Sequence, residues 1–387
     1  MRSSGHAFRL ILLLGLVSLT ADMVYEGARS ITGPYLLILG ATATTVGLVS
    51  GAGEVAAYGA RILFGHIADR SGRHWMLMVS GYMMILSLPA LTFVNRLDIA
   101  STLIILERLG KAVRTPARDA IIASIASSIG RGKGFGIHEA MDQIGAVIGP
   151  LIVAVLLYHR GYGDAFLYLF IPAVATCSLL LYARRRIPSN PSHMSVQISP
   201  VVSAPRTFWL YLAFVSIGVA GYAHFQLISY HVKFTSAMDD AYIPLLFAAA
   251  MGVDALVAII AGYLFDRRGL AALLLIPLTS IPIAPLAFSL NPIYIVVGIV
   301  LWGAVMGMQE TMMRAAIAGM VDGARLATAY GLFNGVYGIA WFSGSMIMGM
   351  LYDASVAGVI VFSVALSTIS LLLLLVMLGI GVKGSTR

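Results

Sequence analysis

The chain has 387 residues, 59% hydrophobic and only 11% charged, with a net charge of +8 and a mean hydropathy of +0.91. An ordinary soluble domain carries roughly a quarter charged residues, so a water-covered globule is excluded. Long apolar runs such as residues 359–378 exclude a strand-and-turn design, and the basic residues lie between apolar runs, where the positive-inside bias explains them without nucleic acid.

A bilayer crossing needs roughly 20 apolar residues. On that scale the chain reads as twelve spans, at 8–31, 43–66, 75–94, 98–124, 133–157, 163–183, 206–232, 240–265, 270–289, 291–320, 326–351 and 355–381. The first follows Arg2 and Arg9 and has the look of a signal peptide, but no small-residue cleavage site precedes Asp22, so it reads as an uncleaved helix. An even number of spans puts both termini on one side. Arg70, Arg73, Arg131, Lys133, Arg184, Arg185, Arg186, Arg267, Arg268, Arg325 and Lys383 share that side, with Arg96, Arg160 and Lys233 opposite. Both termini are therefore expected in the cytoplasm, with the chain in the cell membrane. Cys177 is the single cysteine, which leaves no disulfide framework and no thiolate metal site.

A polar stretch with Pro188, Pro191, Pro200 and Pro205 separates six spans from six. It reads as a linker, giving bundles at 1–183 and 206–387 joined by 184–205. The halves repeat each other. Gly65-His-Ile-Ala-Asp69-Arg70 returns as Gly262-Tyr-Leu-Phe-Asp266-Arg267, and Arg118-Asp-Ala-Ile-Ile-Ala123 as Arg314-Ala-Ala-Ile-Ala318. Phe135-Gly-Ile-His-Glu139 is echoed by Tyr330-Gly-Leu-Phe-Asn334. Three matches in one order at a nearly constant offset indicate an internal duplication, which suits a transporter.

The run Gly65-His-Ile-Ala-Asp69-Arg70-Ser-Gly72-Arg73 resembles the G-x-x-x-D-R-x-G-R loop of the major facilitator superfamily. With the span count and the duplication, the resemblance covers the whole chain. It implies an all-α membrane fold, two pseudo-symmetric six-helix bundles around a central cavity, and alternating access by rocking of the halves. It also implies that Asp69 anchors a cytoplasmic gate with Arg70 and Arg73 as cationic partners. The second copy keeps Gly262, Asp266, Arg267 and Gly269 but lacks the closing basic residue. Gly145-Ala-Val-Ile-Gly149-Pro150 resembles a motif of proton-coupled exporters in the same superfamily, although Leu151, Ile152 and Val153 replace the glycine pair that follows there. Close helix packing explains Gly145 and Gly149 as well as an exporter role does.

Ionisable groups inside spans are costly unless paired or set against a wet cavity. Span four carries Glu107, Arg108, Lys111, Arg114, Arg118 and Asp119, its four cations falling within roughly 120° of one another. Asp22, Glu26 and Arg29 share a face of span one. Counted from the cytoplasmic ends, Asp22, Glu26, Arg108 and Lys111 all lie about 20–27 Å deep, so an ion-paired layer between spans one and four is expected. Glu139 and Asp142 of span five lie near the depth of Arg118 and Arg114, and Glu310 and Arg314 share a face of span ten. Asp22, Glu26, Glu139 and Asp142 are the candidates for a coupling proton. By the resemblance, spans one, four, seven and ten line the cavity, so Arg108, Lys111, Arg114, Arg118, Tyr25, Tyr222, His224, Glu310 and Arg314 are the candidates for substrate contact. Glu54 and Asp254 are expected to pair between helices.

No nucleotide loop, metal cluster or nucleophile–base arrangement occurs, which leaves no enzyme class, cofactor or metal supported. The sequence therefore reads as a monomeric, proton-coupled secondary transporter exporting a small organic molecule. Its rivals are an anion importer or exchanger using the span-four cations, and a receptor or lipid-handling protein without coupled transport.

Overall fold

The computed structural model describes residues 2–127, 129–187, 206–321 and 326–384. The linker residues 188–205 and Arg325 lie outside that set. Among the described residues there is no strand. The helices are α1 (Arg2–Ile38), α2 (Ala43–Ser71), α3 (His74–Met83), α4 (Leu97–Ala126), α5 (Arg131–Arg160), α6 (Tyr162–Tyr168), α7 (Phe170–Arg186) and α8 (Arg206–Ala220). They continue with α9 (Phe225–Phe234), α10 (Tyr242–Arg268), α11 (Leu275–Ser280), α12 (Ile283–Ala287), α13 (Pro292–Met308), α14 (Arg314–Ala318), α15 (Leu326–Ala354) and α16 (Val356–Gly384).

Eight helical stretches among the described residues are long and apolar enough to cross a bilayer. One of them, Tyr242–Ala287, holds two expected spans, and α2, α4 and α15 supply the remaining three. Those three fall short on apolarity for a visible reason. α4 is charged along its length, while Gly, Ser and Tyr interrupt the apolar residues of α2 and α15. The helices thus fit a twelve-span, all-α membrane protein.

Several expected spans are interrupted where the chain loses a backbone donor. Pro172 cannot bond back across the α6–α7 junction, and Pro282 separates α11 from α12. Span three continues beyond α3 as 3-10 turns at Met84–Ser87 and Pro89–Phe93. Span seven is broken between α8 and α9 without any proline. Its freed carbonyls are taken up by side chains, Gly221 O by the Ser363 hydroxyl at 2.6 Å and Ala223 O by the Trp302 indole N–H at 2.9 Å. Tyr222 in turn donates to Trp302 O at 2.7 Å. Irregular backbone survives at membrane depth only where such partners exist. Span ten carries a π-helical segment, Gln309–Met313, between α13 and α14.

Contacts group the described residues into two compact units. One draws on Met1–Gly40, Ala56–Ser195 and Asp240–Ala248, the other on Ala41–Val55, Val196–Asp239 and Ala249–Arg387. In the first, α1 packs along α5 and α7, and α3 lies against α4. Gly145 and Gly149 of α5 sit directly on the α1 backbone, and a methyl group on either would collide with the carbonyl of Leu19 or Met23. This is the small-residue packing that lets two membrane helices meet backbone to backbone. In the second unit α8 packs on α15 and α16. There Asp353, at the end of α15, accepts from the backbone N–H groups of Ala43 and Thr44, each at 2.9 Å, and from the Thr44 hydroxyl at 2.6 Å. The carboxylate thereby caps the otherwise unpaired donors that begin α2.

The repeat appears in the backbone as well. Gly72 closes the end of α2 at φ +63°, and its counterpart Gly269 follows α10 at φ +56°. Both conformations favour glycine, which explains why the two loops share that residue.

Two substitutions test this packing by thermal unfolding in detergent. Gly149→Val should destabilise the protein by about 1–3 kcal/mol, because the α1 backbone cannot yield locally. At neutral pH, Asp353→Ala should cost about 1 kcal/mol through the lost cap. Burial pushes the Asp353 carboxyl up, but the bonds from Thr44 and Ala43 outweigh it and hold the group below the usual carboxylate value. A depressed folded value means that the cap contributes fully above the ordinary carboxylate range and is lost as pH falls through the depressed value. The gap between wild type and Asp353→Ala should therefore close on acidification; a pH-independent gap would deny the carboxylate that role.

Candidate functional site

Most of the intramembrane charge converges in the first unit, on α1, α4 and α5. The 3.6-residue turn places Asp22, Tyr25, Glu26 and Arg29 on one side of α1, and Glu107, Arg108, Lys111, Arg114 and Arg118 along α4. Glu26 and Arg29 pair at 3.4 Å, and Glu107 and Arg114 at 3.3 Å; all four are buried. Arg118 joins Asp119 at 3.0 Å and reaches Asp142 of α5 at 3.6 Å. Asp22 lies within electrostatic range of Asp142, Lys111, Glu26 and Arg114.

Between spans one and four, Asp22 and Glu26 of α1 lie within electrostatic range of Lys111 of α4. Glu26–Arg29 and Glu107–Arg114 are pairs within one helix, and Tyr25 of α1 also meets the cations of α4. Arg108 donates to its phenolic oxygen. The Arg108 guanidinium stands 4.8 Å and the Lys111 ammonium 4.2 Å from the ring centroid, with Arg29 at 6.0 Å. A phenol offers cations an acceptor and a negative ring face without adding a formal charge that must itself be desolvated. The aromatic residue is thus the hub of the cationic face.

Beside this hub, near the expected Asp142, lie Ser18, Tyr82 and His138, which the sequence did not single out. Ser18 of α1 meets His138 Nε2 at 2.7 Å and the Tyr82 hydroxyl at 3.2 Å. His138 Nδ1 is 3.6 Å from Asp142. The Arg114 guanidinium lies 5.0 Å from the Tyr82 ring centroid, which links this group to the Glu107 pair. The spacing of His138 and Asp142, i and i+4 on one helix, was the available signal; Ser18 and Tyr82 gave none.

The other candidates are placed elsewhere. Glu139, one turn before Asp142, is exposed. Tyr222 and His224 belong to the second unit, in the break between α8 and α9. Tyr222 stacks on Trp302 with centroids 5.6 Å apart, and His224 stacks on Trp341 at 4.3 Å. Glu310 sits in the π-helical segment of that unit, and Arg314 is exposed at the start of α14. Gly65 lies inside α2, and Asp69, Arg70, Gly72 and Arg73 are exposed around its end. Asp266 and Arg267 are exposed at the end of α10, with Arg267 over the Tyr263 ring at 4.3 Å. Pro150 follows the two packing glycines of α5 without ending the helix. Glu54 and Asp254 are both buried in the second unit, Asp254 against Gly307 of α13.

The sequence profile of the Major Facilitator Superfamily matches residues 14–345. An uncharacterized protein of Mycobacterium tuberculosis is 42% identical over 386 residues, covering 96% of this chain and 94% of its own. An uncharacterized MFS-type transporter of Methanocaldococcus jannaschii is 25% identical over 375 residues, covering 94% of each. Among solved structures, a variant of the nucleoside transporter NupG superposes with a TM-score of 0.81 at 13% identity, covering 95% of this chain and 99% of that one. A bacterial homologue of the human lysosomal transporter Spinster, inward-facing and occupied, gives 0.74 at 14% identity, with coverages of 95% and 96%. At such identities these likenesses establish the fold.

The buried pair of α4 makes a prediction independent of transport. Glu107→Leu strands the Arg114 charge and should cost about 3–5 kcal/mol in detergent unfolding. Adding Arg114→Met should recover most of that loss, since an apolar pair needs no desolvation. Equal destabilisation by the single and double variants would mean that the charges do not depend on each other.

Proposed function

The chain belongs to the Major Facilitator Superfamily, and from that premise we propose that it is a proton-coupled transporter exporting a small organic molecule across the plasma membrane by alternating access. One observation carries the proton coupling: carboxylates of α1 and α5 share a buried neighbourhood with cations of α4 whose partners can be exchanged. A static contact between helices would be made at lower cost with apolar side chains. A carboxylate whose cationic partner comes and goes changes its proton affinity with each conformational change, and that is what coupling requires.

Asp22 and Glu26 are the first candidates for the coupled proton, with Arg108 and Lys111 holding the deprotonated form. Asp142 stands next, ahead of Glu139, because it is less accessible and in reach of Arg118. Arg114 and Arg118 are assigned to substrate or to the acids that exchange with it. The repeat supports two six-helix halves, 1–183 and 206–387, with the 184–205 linker and both termini in the cytoplasm and the monomer as the working unit. Asp69, with Arg70 and Arg73, is assigned to control of the cytoplasmic entrance. A second reading, exchange of an organic anion, is favoured by Arg108 and Lys111 converging on Tyr25.

Vesicles loaded with a panel of organic anions, cations and neutral molecules, nucleosides included, distinguish these readings. An imposed pH gradient should drive accumulation of at least one member. Asp22→Asn combined with Glu26→Gln should abolish that drive while leaving substrate binding within a few-fold of wild type. Wild-type pH dependence in the double variant would move the proton site off α1, and indifference of every substrate to the pH gradient would overturn proton coupling.

A further inference from the structure

The two compact units depart from the sequence repeat at one matched pair of places. The second unit includes Ala41–Val55, where α2 begins, and the first includes Asp240–Ala248, which leads into α10. Counted back from the repeated Gly65 and Gly262, Ala43 and Asp240 stand at the same position. Each is held by the end of a span from the opposite half of the sequence. Asp353, closing α15, accepts from the Ala43 and Thr44 N–H groups at 2.9 Å and from the Thr44 hydroxyl at 2.6 Å. Tyr162, just after α5, donates to Asp240 Oδ2 at 3.0 Å. α5 and α15 are counterparts too, since they carry the matching stretches at Phe135 and Tyr330. The duplication thus produces the same grip twice, with different side chains.

We propose that Asp353 and Tyr162 are paired latches that hold the external side of the transporter closed and release when that side opens. The latch assignment rests on the two-half, cytoplasmic-termini reading, which puts all of these helix ends outside. The Asp353 latch is anchored on its own half. The Tyr352 hydroxyl next to it meets His231 Nδ1 of α9 at 2.7 Å, so α15 and α9 move together and α2 is the part released. Tyr230 of α9 adds a bond to Ala41 O at 3.3 Å. Beneath the latch, α2 and α15 touch backbone to backbone. A methyl group on Gly47 would collide with the Ser345 carbonyl, and one on Gly349 with that of Ala43. Such a seam is held by van der Waals contact, so the polar bonds at its outer end set how readily it parts. At the aqueous surface, water takes over the freed donors and the carboxylate. Each latch is therefore strong enough to bias the equilibrium and weak enough to be undone in every cycle.

Electron–electron resonance distances in the full-length protein in lipid vesicles test the latches, with spin labels on Ile38→Cys and Ile293→Cys in a Cys177→Ser background. Both label sites are exposed, one at the end of α1 and one at the start of α13. In Asp353→Ala the ratio of long to short distances should rise roughly 5-fold, the population equivalent of one lost cap. Thr44→Val removes one of the bonds and should shift the ratio the same way by less. Added to Asp353→Ala it should change nothing further, because both variants break one contact. Tyr162→Phe should also raise the ratio, and its effect should add to that of Asp353→Ala. Asp98→Ala, which breaks an exposed pair at the start of α4, should leave the distances unchanged. Wild-type distances in Asp353→Ala overturn the proposal, as does an equal shift in Asp98→Ala. A membrane-impermeant maleimide should react with both label cysteines from outside intact cells. Reaction only after the cells are opened would overturn the topology, and an external latch with it. Neither measurement uses a substrate or a pH gradient, so both failures are distinct from failure of proton-coupled export.

Discussion

An ionised side chain within the thickness of a membrane must find compensation inside the protein, because hydrocarbon offers none. That constraint organises the first unit. α4 carries four cations within its length, and each neighbouring helix meets them differently. α4 itself supplies Glu107, α5 supplies Asp142, and α1 supplies the ring and hydroxyl of Tyr25. A carboxylate in the place of the ring would bring its own desolvation cost. The phenol avoids that cost. Beside it, Asp22 and Glu26 lie within electrostatic range of Lys111.

Interrupted helices are the second expression of the same constraint, applied to the backbone. The break between α8 and α9 and the π-helical segment before α14 free peptide groups at membrane depth. In the former, Ser363, Trp302 and Tyr222 take up or return the freed bonds. The aromatic stacks of Tyr222 on Trp302 and His224 on Trp341 then belong to the support of an irregular backbone.

The fold class was legible because it depends on composition and on period, and both survive in a single sequence. The duplicated loops were legible because Gly72 and Gly269 carry a backbone conformation that few other residues adopt. The charged residues of α1 and α4 stood out for a similar reason, since a charge in an apolar run has few ordinary explanations. What the sequence did not disclose was partnership. Spacing placed Asp22, Glu26, Arg108 and Lys111 at one depth, yet it did not reveal that a tyrosine would join them. Nor did it separate Asp142 from Glu139, because which side of α5 meets α1 is decided by where Gly145 and Gly149 allow contact. Ser18 and Tyr82 were invisible for a plainer reason. A serine or tyrosine in a membrane helix is unremarkable until its neighbours from other helices are known.

The glycine contact between α1 and α5 has a mechanical consequence. Hydrogen bonds tolerate a few tenths of an ångström, whereas two helices held apart by long side chains can slide by more than that as rotamers change. Backbone resting on backbone removes the compressible layer, so α1 and α5 behave as one stiff beam. The 2.7 Å span from Ser18 to His138 crosses that seam. It is therefore a dimension set by the scaffold and not by the side chains that display it, and it should hold constant while other parts of the molecule bend.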